Sequence, residues 1–407
     1  MHFREYHPEA DRAAVHRIWH EVGWMEKEEI TDLVLTAGQT WVADLEGQPE
    51  CVVQTTPAAL RYLEEELPAS IVTAVATSHV ARKRGRPKRL LAHRLAQDAA
   101  GGAVVSTVDV FDQGFYDRLG FGPGCYEIIF DLDPAALTVA GHYRTPHRFT
   151  RDDWPALHAA RLARRPVHGR CNVLSPVHTR AQMMNGKNPF GLGYRDGPGD
   201  APSHYCWLQA DDMEVGPYRI QWMVYQTMEQ FRELMALLRS FEDQVCLIHV
   251  RELPGIQFQD LLSRPFRQRA ITRRGSFENT AYAVAYWQIR LLDLAGALAR
   301  THLPGPPLRF HLVLRDPVAD LLDQDAPWHG IGGEYIVEVG EESRARPGQD
   351  ASLPTLTASV NAFSRLWFGV RPASGLAYTD ELAGPPELLR QLDEAFRLPA
   401  PKPDWDF

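Results

Sequence analysis

The sequence predicts a soluble α/β (α+β) protein made of two or three domains. Its 407 residues accommodate two or three domains of the usual size of about 100–200 residues. Hydrophobic residues contribute 44% and charged residues 23%, a composition that is ordinary for a folded protein and excludes extensive disorder. Short apolar strand patterns alternate with helical patterns along the chain, which is typical of α/β domains.

The first domain is expected at residues 1–138, where the patterns follow the order βαββ and then βαβ. A helical pattern at 11–22 follows the first strand, and a second helix carries Leu90, Leu91 and Leu95 on one face. Asp133-Pro134 ends the last strand and places the boundary shortly after it. The strand patterns lie at 3–6, 41–44, 51–55, 71–77, 103–110 and 126–132.

A second beginning at 145–154 predicts a second domain at 139–287. Its strand patterns at 218–225 and 245–250 flank a helical pattern at 228–240, which is consistent with a second copy of the first architecture. The third domain is expected at 288–407. Its strands are predicted at 310–314 and 335–339, its helices at 360–368 and 387–396, and its Pro-rich tail at 398–407 should be extended.

Charge and cysteine content limit the classes of function. The formal charge of −9 argues against general nucleic-acid binding and suits a cationic partner. Five scattered cysteines without C-x-x-C predict neither a disulfide framework nor a zinc knuckle, so we expect reduced thiols in a cytoplasm. His16 and His20 indicate an amphipathic surface helix, so no metal is expected. No apolar run approaches the roughly 18 residues of a membrane span.

A basic segment at 82–89, Arg-Lys-Arg-Gly-Arg-Pro-Lys-Arg, admits three interpretations. The first is a solvated charge run. The second is a minor-groove DNA contact, because Arg84-Gly85-Arg86-Pro87 resembles an AT-hook; such hooks, however, lie in disordered tails, and this segment lies between a strand and a helix. The third is a pyrophosphate site, because a strand, a glycine turn and a helix present free backbone N–H groups and a favourable dipole.

A second motif lies about thirty residues further on, at 115–122, Phe-Tyr-Asp-Arg-Leu-Gly-Phe-Gly. Taken alone, it indicates either core aromatic residues beside a glycine turn or a catalytic tyrosine. Together with Arg82 to Gly85, which fits R-x-x-G, it resembles the GCN5-related N-acetyltransferases (GNATs). That resemblance implies that the basic loop holds the diphosphate of acetyl-CoA and that Tyr116 protonates the departing thiolate as a general acid.

The whole chain resembles the enhanced intracellular survival (Eis) family of these enzymes. The resemblance is strongest at the basic loop, at the Tyr116 motif and over the last forty or so residues, which end in Trp405-Asp406-Phe407. It implies two tandem GNAT-like domains, the second degenerate, and a sterol-carrier-protein-like third domain. It also implies a homo-oligomer, commonly a hexamer, that acetylates polyamine compounds, including aminoglycosides.

The resemblance also implies the residues of the site. In this family the terminal carboxylate, here that of Phe407, reaches the active site of the first domain. Pro87, which lacks an N–H, and Thr77, which replaces an apolar residue, depart from the family pattern. The implied set comprises Val75 and Thr77 along the pantetheine arm, Arg82, Lys83, Gly85, Arg86 and Pro87 at the phosphates, and Trp24, Glu26 and Asp406 at the substrate.

The expected reaction is direct attack of an amine on acetyl-CoA. A terminal carboxylate has a pKa of about 3.5 and an amine one of about 10.4, so proton transfer between them is uphill unless burial shifts both. Phe407 is therefore either a base or a binder of the substrate's ammonium group, and both alternatives stay open. Two further readings also stay open: a degenerate acyltransferase that only binds a ligand, which Pro87 and Thr77 would suit, and DNA binding through 82–89.

Overall fold

The computed structural model describes residues 3–24, 27–83, 85–110, 113–265 and 273–407. The strands in chain order are β1 (Phe3–Glu5), β2 (Gln39–Leu45), β3 (Gln48–Tyr62), β4 (Glu65–Thr77), β5 (Val105–Asp109), β6 (Gly122–Pro123), β7 (Glu127–Leu132), β8 (His147–Phe149), β9 (Cys171–Val173), β10 (Pro189–Tyr194), β11 (His204–Ala210), β12 (Tyr218–Val224), β13 (Ile248–Arg251), β14 (Thr280–Val284), β15 (Trp287–Leu291), β16 (Leu308–Arg315), β17 (Gly333–Val339), β18 (Arg344–Pro347), β19 (Thr355–Ser359) and β20 (Leu382–Ala383).

The helices that accompany these strands confirm the mixed α/β class. They are α1 (Pro8–Glu21), α2 (Glu28–Ala37), α3 (Arg86–Ala100), α4 (Gln113–Tyr116), α5 (Trp154–Leu162), α6 (Pro176–Met184), α7 (Met228–Arg239), α8 (Leu294–Ala299), α9 (Val360–Trp367), α10 (Ala373–Thr379) and α11 (Pro386–Ala395). None of the described helices is long and apolar enough to cross a membrane.

The first sheet has the order β1-β2-β3-β4-β5-β15-β6, with β9 pairing to the outer part of β3. Neighbouring strands are antiparallel except β4 and β5, which are parallel and joined through α3. A parallel pair needs such a crossover, and its helix covers one face of the sheet. Leu90, Leu91 and Leu95 of α3 are accordingly buried in one core with Val72 and Val108.

The hairpin of β3 and β4 is much longer than the sequence patterns indicate. The two strands pair from Cys51 and Thr77 to Tyr62 and Glu65, whereas the patterns predict only residues 51–55 and 71–77. The intervening sequence contains Pro57, Pro68 and a run of glutamates, which are residue types that strands disfavour. Tertiary pairing overrides that local preference, since β9 also pairs with β3 from Ala58 to Leu60 and β5 also pairs with β4 from Ala69 to Val72.

The second sheet repeats the plan of the first. Its order, starting from β8, is β8-β10-β11-β12-β13-β7-β14, and its only parallel pair among the described strands, β12 with β13, is joined through α7. Position by position, the pairing directions match those of the first sheet. This is the second copy of the architecture that the sequence pattern suggests.

One strand in each of these sheets comes from the other half of the chain. β15 follows the second sheet in sequence but occupies the sixth position of the first, between β5 and β6. β7 precedes the second sheet in sequence but occupies its sixth position, between β13 and β14. The two copies have therefore exchanged equivalent strands.

This exchange explains why the compact units are not continuous in sequence. The first unit comprises residues 1–125, 168–175 and 285–407, and the second comprises 126–167 and 176–284. The predicted divisions 1–138, 139–287 and 288–407 assume continuous domains and assign the 126–132 strand to the first. That strand, β7, pairs in the second sheet, so this part of the expectation is wrong.

A third, five-stranded sheet belongs to the first unit and has the order β18-β17-β16-β19-β20. β16 and β17 contain the strands predicted at 310–314 and 335–339, and α9 and α11 lie at the two predicted helices. The tail beyond α11 forms neither helix nor strand, as expected for its proline content, and Pro401, Pro403 and Trp405 in it are buried.

A buried histidine in the first unit predicts a pH-dependent stability. The Nδ1 atom of His168 accepts the Leu63 N–H at 3.1 Å, and its Nε2 atom lies 3.0 Å from the Phe368 carbonyl, so the ring is the neutral Nε2–H tautomer. Burial lowers its pKa from 6.5 to about 4. The unfolded chain thus binds one more proton between these pH values, and stability falls as the pH decreases through this window, by about 3 kcal/mol in total.

Urea unfolding at several values between pH 4 and pH 7 measures this effect. We expect the stability difference between the unmodified protein and His168→Gln to shrink by about 3 kcal/mol from pH 7 to pH 4. The exposed His302 provides the control, because His302→Gln should keep the full pH dependence. An unchanged difference across the window would contradict the assignment.

Candidate active site

The first sheet opens between β4 and β5. These strands pair only from Ala69 and Val105 to Val72 and Val108, although β4 continues to Thr77. A register shift between Gln54 and Thr55 of β3 leaves Thr73 as an extra residue in β4 at the point where the strands part. Beyond it, no described strand pairs with the outer edge of β4, so its backbone groups face a gap.

Val75 and Thr77 direct their backbone groups into this gap. The Ser78 N–H donates to the carbonyl of Glu50 in β3 at 3.0 Å, and the backbone groups of successive residues in a strand alternate sides. The backbone N–H and C=O groups of Ala74 and Ala76 therefore point towards β3, while those of Val75 and Thr77 point away from it. An extended ligand with amide groups can pair with these free edges.

The Thr77 hydroxyl, a departure from the family pattern, is satisfied inside the sheet. It donates to the Sγ atom of Cys51, 3.4 Å away, and the two residues lie directly opposite each other in the β3–β4 ladder. Burial raises the pKa of Cys51 to about 12, so this thiol is not a nucleophile.

The basic loop leads from β4 into α3, as expected. Gly85 has φ +70°, and it precedes the helix without any side-chain cap. The helix then starts at Arg86, so its first N–H groups are available to an anion. Pro87 is the second helical residue, where it is tolerated but removes one of these donors. Arg82 and Lys83 are exposed, and Arg84 lies outside the described residues.

Three cations surround this helix start, and we call Arg86, Lys88 and Arg118 the cationic cluster. The Nε and Nη1 atoms of Arg86 are buried with no hydrogen-bond partner among the described residues, and its charge acts to lower the pKa of Cys51. The pKa of Lys88 is lowered by burial and by Arg118. Buried unpaired donors and adjacent like charges are unfavourable, so the cluster is suited to an anionic ligand.

The second unit contains an internal control for this feature. Its helix α7 is the counterpart of α3, but Thr227 and Gln230 form a complete capping box. The Gln230 side chain accepts the N–H groups of Gln226 and Thr227, and the Thr227 hydroxyl accepts that of Gln230. Side chains of the second unit therefore cap the start of α7, whereas the start of α3 has no side-chain cap.

Tyr116 is at the end of α4 and is held between aromatic rings. It is 5% exposed, and its ring lies 4.8 Å from that of Phe115 and 6.1 Å from that of Phe121, edge-on to both. A 3₁₀ turn, Asp117–Leu119, follows it and ends at Gly120 with φ +85°. Only glycine fits there, because a Cβ atom would lie 2.6 Å from Val360 Cγ1.

Hydrogen bonds from residues distant in sequence hold the Tyr116 motif in place, and the sequence patterns did not point to these residues. The Asn361 side-chain amide donates to the carbonyls of Asp117 and Phe121, both at 2.8 Å. The buried Arg290 donates to the Leu119 carbonyl and pairs with Asp316 at 2.7 Å. No local pattern marks Asn361 and Arg290, because their contacts with the motif join residues more than 170 positions apart.

The chain terminus docks at the end of β5. The Phe407 N–H donates to the Asp109 Oδ2 atom at 2.9 Å, and Trp405 is 2% exposed. Asp406, implied as a substrate residue, is partly buried between them. The structure thus brings Phe407 and Asp406 to the strand that precedes Tyr116, and it adds Asp109, which the sequence analysis did not single out.

Of the remaining substrate candidates, Trp24 lies shortly after α1. Trp24 is 44% exposed and packs edge-on against Trp19 with ring centroids 5.0 Å apart. Glu26 lies outside the described residues. The Nε2 atom of His16 in α1 lies 2.8 Å from the Oδ1 atom of Asp32. Within the described ranges, no group of three or more His, Cys, Asp and Glu side chains forms a metal-binding set.

Comparison with known proteins shows what the first copy is similar to. Residues 7–124 match the family model described as an acetyltransferase (GNAT) domain, a span that contains the gap, the cationic cluster and the Tyr116 motif. An uncharacterized N-acetyltransferase from Streptomyces avermitilis is 25% identical over 335 residues, which cover 76% of this chain and 74% of that protein.

Solved structures of similar fold cover the whole chain. A GCN5-related N-acetyltransferase from Anabaena variabilis is 15% identical with a TM-score of 0.78, and the match covers 100% of both chains. Eis1 from Mycobacterium abscessus is 17% identical with a TM-score of 0.76, again over 100% of both. At these identities the likeness is one of fold. Support for GNAT acetyltransferase function comes from the domain match and from the Streptomyces relative.

Proposed function

We propose that the chain is an acetyl-CoA-dependent N-acetyltransferase that acts on amine groups of a cationic small molecule. The observation that carries the proposal is the continuity of the site. The gap lies between β4 and β5. β4 continues into the uncapped start of α3 with its unpaired cations, and β5 continues towards Tyr116 and ends where Phe407 contacts Asp109.

The residues around the gap fit the cofactor. Pantetheine amides would pair with the backbone of Val75 and Thr77, as in a short added strand. The diphosphate would lie at the N-terminus of α3, held by Gly85, Arg86 and the exposed Arg82 and Lys83. When bound, acetyl-CoA supplies the acetyl group as an activated thioester.

Tyr116 would protonate the departing thiolate, and the Phe407 carboxylate would bind the amine of the substrate. A phenol can donate a proton to a departing thiolate, and the packing of Phe115 and Phe121 around Tyr116 fixes where its hydroxyl points. The Phe407 carboxylate, with Asp406 and Asp109 nearby, would bind the substrate's ammonium group and orient it for attack, either accepting its proton or passing it to water.

The rest of the proposal concerns organisation and substrate. The closed helix start of α7 supports a second GNAT-like domain that is degenerate, and we extend the proposal to a sterol-carrier-like third sheet and a cytoplasmic homo-hexamer. The net charge of −9 and the carboxylates at the terminus favour a polyamine- or aminoglycoside-like substrate, for which Trp24 and Glu26 would provide further contacts.

A thiol-release assay tests the function. The protein is incubated with acetyl-CoA and a panel of polyamines and aminoglycosides while free CoA thiol is followed. Amine-dependent release is expected. If acetyl-CoA binds but no amine of the panel releases thiol, the chain is instead a binding protein that has lost its chemistry.

Arg86→Met should weaken CoA binding by about 10- to 100-fold, because hydrogen bonds to charged groups contribute about 1.5–3 kcal/mol. Without ligand, the same variant should be as stable as the unmodified protein or more stable, since it removes a half-buried, unpaired guanidinium. Calorimetric titration with CoA and thermal unfolding measure the two effects.

Arg89→Met is the matched control. Arg89 lies one turn further along α3 and already pairs with Asp323 at 2.7 Å. Its loss should change CoA affinity much less than the loss of Arg86. Equal effects of the two variants would indicate a general charge effect rather than a phosphate site at the helix start.

A further inference from the structure

We propose that Asp109 is a positioning residue that holds the terminal carboxylate of the chain in place by accepting a hydrogen bond from the amide of Phe407. This inference rests on the proposed function, in which that carboxylate binds the amine. It assigns a role in the reaction to a side chain that no sequence motif includes.

Asp109 is well placed for this role because its backbone is fixed. It is the last residue of β5 and lies opposite Trp287 of β15, and the next residue, Val110, donates its N–H to the Tyr286 carbonyl at 2.7 Å. β5 is interior to the sheet and has already separated from β4 at this point. A rigid strand end beside the gap therefore presents the Asp109 carboxylate to Phe407.

The arm that precedes Phe407 is anchored independently. The Cys171 N–H donates to the Pro403 carbonyl at 2.8 Å, and Trp405 is 2% exposed. The arm also packs closely against Gly169, where a Cβ atom would lie 2.5 Å from the backbone nitrogen of Lys402. These contacts bring the arm as far as Trp405, so a separate interaction must orient the final residue. The Asp109 bond, at 2.9 Å, provides it.

The bond also determines the charge around the terminus. Covalent geometry places the terminal carboxylate within about 5 Å of the Asp109 oxygen that accepts the Phe407 amide. Two carboxylates at this separation repel each other, and a cation bound beside them removes that repulsion. The arrangement therefore favours an ammonium group over a neutral acceptor.

The acceptor and the donor of the hydrogen bond between Asp109 and Phe407 can be removed separately. Asp109→Ala removes the acceptor, whereas Asp109→Asn keeps an oxygen that can accept. Phe407→Pro removes the donor but keeps a terminal carboxylate, because proline has no N–H. Asp320→Ala, which replaces an exposed carboxylate on the turn Pro317–Leu321, is the control for loss of one negative charge.

The first measurement does not depend on activity. Intact mass spectrometry follows removal of the last residue by a carboxypeptidase. We expect Asp109→Ala to release it at least about tenfold faster than the unmodified protein, the range lost with one charged hydrogen bond. Asp109→Asn should stay close to the unmodified rate, and so should Asp320→Ala. Equal release from all proteins overturns the proposal.

The second measurement compares kcat and KM in a double-mutant cycle. Asp109→Ala should lower kcat for the amine by about 10- to 100-fold and leave KM for acetyl-CoA within about twofold. In a chain lacking Phe407, the same substitution should cause no further loss, because Asp109 acts through that residue. A further loss of tenfold or more in the truncated chain overturns the positioning role.

The two measurements also separate this inference from the proposed function. If no amine is acetylated, the function fails while carboxypeptidase release still reports whether Asp109 holds the terminus. If Asp109→Ala does not fold, as judged by its thermal unfolding, Phe407→Pro supplies the same broken bond. An unchanged kcat for the amine in a folded Phe407→Pro variant would then contradict the inference by itself.

Discussion

Tyr116→Phe should lower kcat by about 10²- to 10⁴-fold, the range observed when a general acid is removed. The substitution deletes one oxygen atom from a ring that is 5% exposed and packed between Phe115 and Phe121, so the fold should accommodate it. KM for acetyl-CoA should change little, because the hydroxyl is proposed to act on the leaving thiolate. Steady-state thiol release, with CoA binding measured separately, distinguishes the two parameters.

Tyr62→Phe is the matched control for this prediction. Tyr62 is also buried, but its hydroxyl donates to the Trp367 carbonyl at 3.0 Å and serves the packing of the first unit. Its loss should cost about 1 kcal/mol of stability and leave kcat within about twofold. If Tyr116→Phe also keeps kcat within about threefold, another group protonates the thiolate.

The parts of the site that the sequence predicts are those encoded within one short segment. The basic loop and the Tyr116 motif each combine a glycine at a left-handed position with charged or aromatic neighbours, and the structure has φ +70° at Gly85 and +85° at Gly120. Such turns depend on nearest neighbours in sequence, so local patterns reveal them.

The partners that hold these segments could not be predicted from sequence. Asp109 and Phe407 are 298 residues apart, and Asn361 and Asp117 are 244 apart. A single Asp at the end of an apolar strand or a single Asn in a helix is compatible with many environments. Only the folded arrangement shows that each one donates or accepts a specific bond at the site.

The exchanged strands show a similar limit at the level of the fold. The apolar pattern at 126–132 correctly predicted a strand, which is β7. The same pattern carries no information about which strand will pair with it, because any partner of matching polarity satisfies the pattern. The expectation of continuous domains therefore assigned β7 to the wrong sheet.

Asp316→Ala should destabilise the protein by about 3–5 kcal/mol, the cost of breaking a buried ion pair from one side. Arg290 is fully buried, and burial lowers its pKa, whereas the charge of Asp316 raises it. Asp316 also accepts the N–H groups of Val318 and Ile331 at 3.1 and 2.9 Å. Its removal leaves the buried charge of Arg290 uncompensated and two backbone donors without an acceptor. Urea unfolding measures the loss of free energy.

Two comparisons distinguish the cost of an uncompensated buried charge from the loss of the Arg290–Asp316 attraction itself. Replacing both partners, with Arg290→Met and Asp316→Leu, should cost less than Asp316→Ala alone, because no buried charge is left uncompensated. Breaking the exposed Arg315–Glu381 pair with Glu381→Ala should cost less than about 1 kcal/mol. Asp316 also acts on the site through Arg290, which donates to the Leu119 carbonyl in the turn that follows Tyr116. The folded Asp316→Ala protein should therefore have a lower kcat, because Arg290 no longer holds this turn in place. Full activity in a destabilised Asp316→Ala protein would show that this brace serves stability alone.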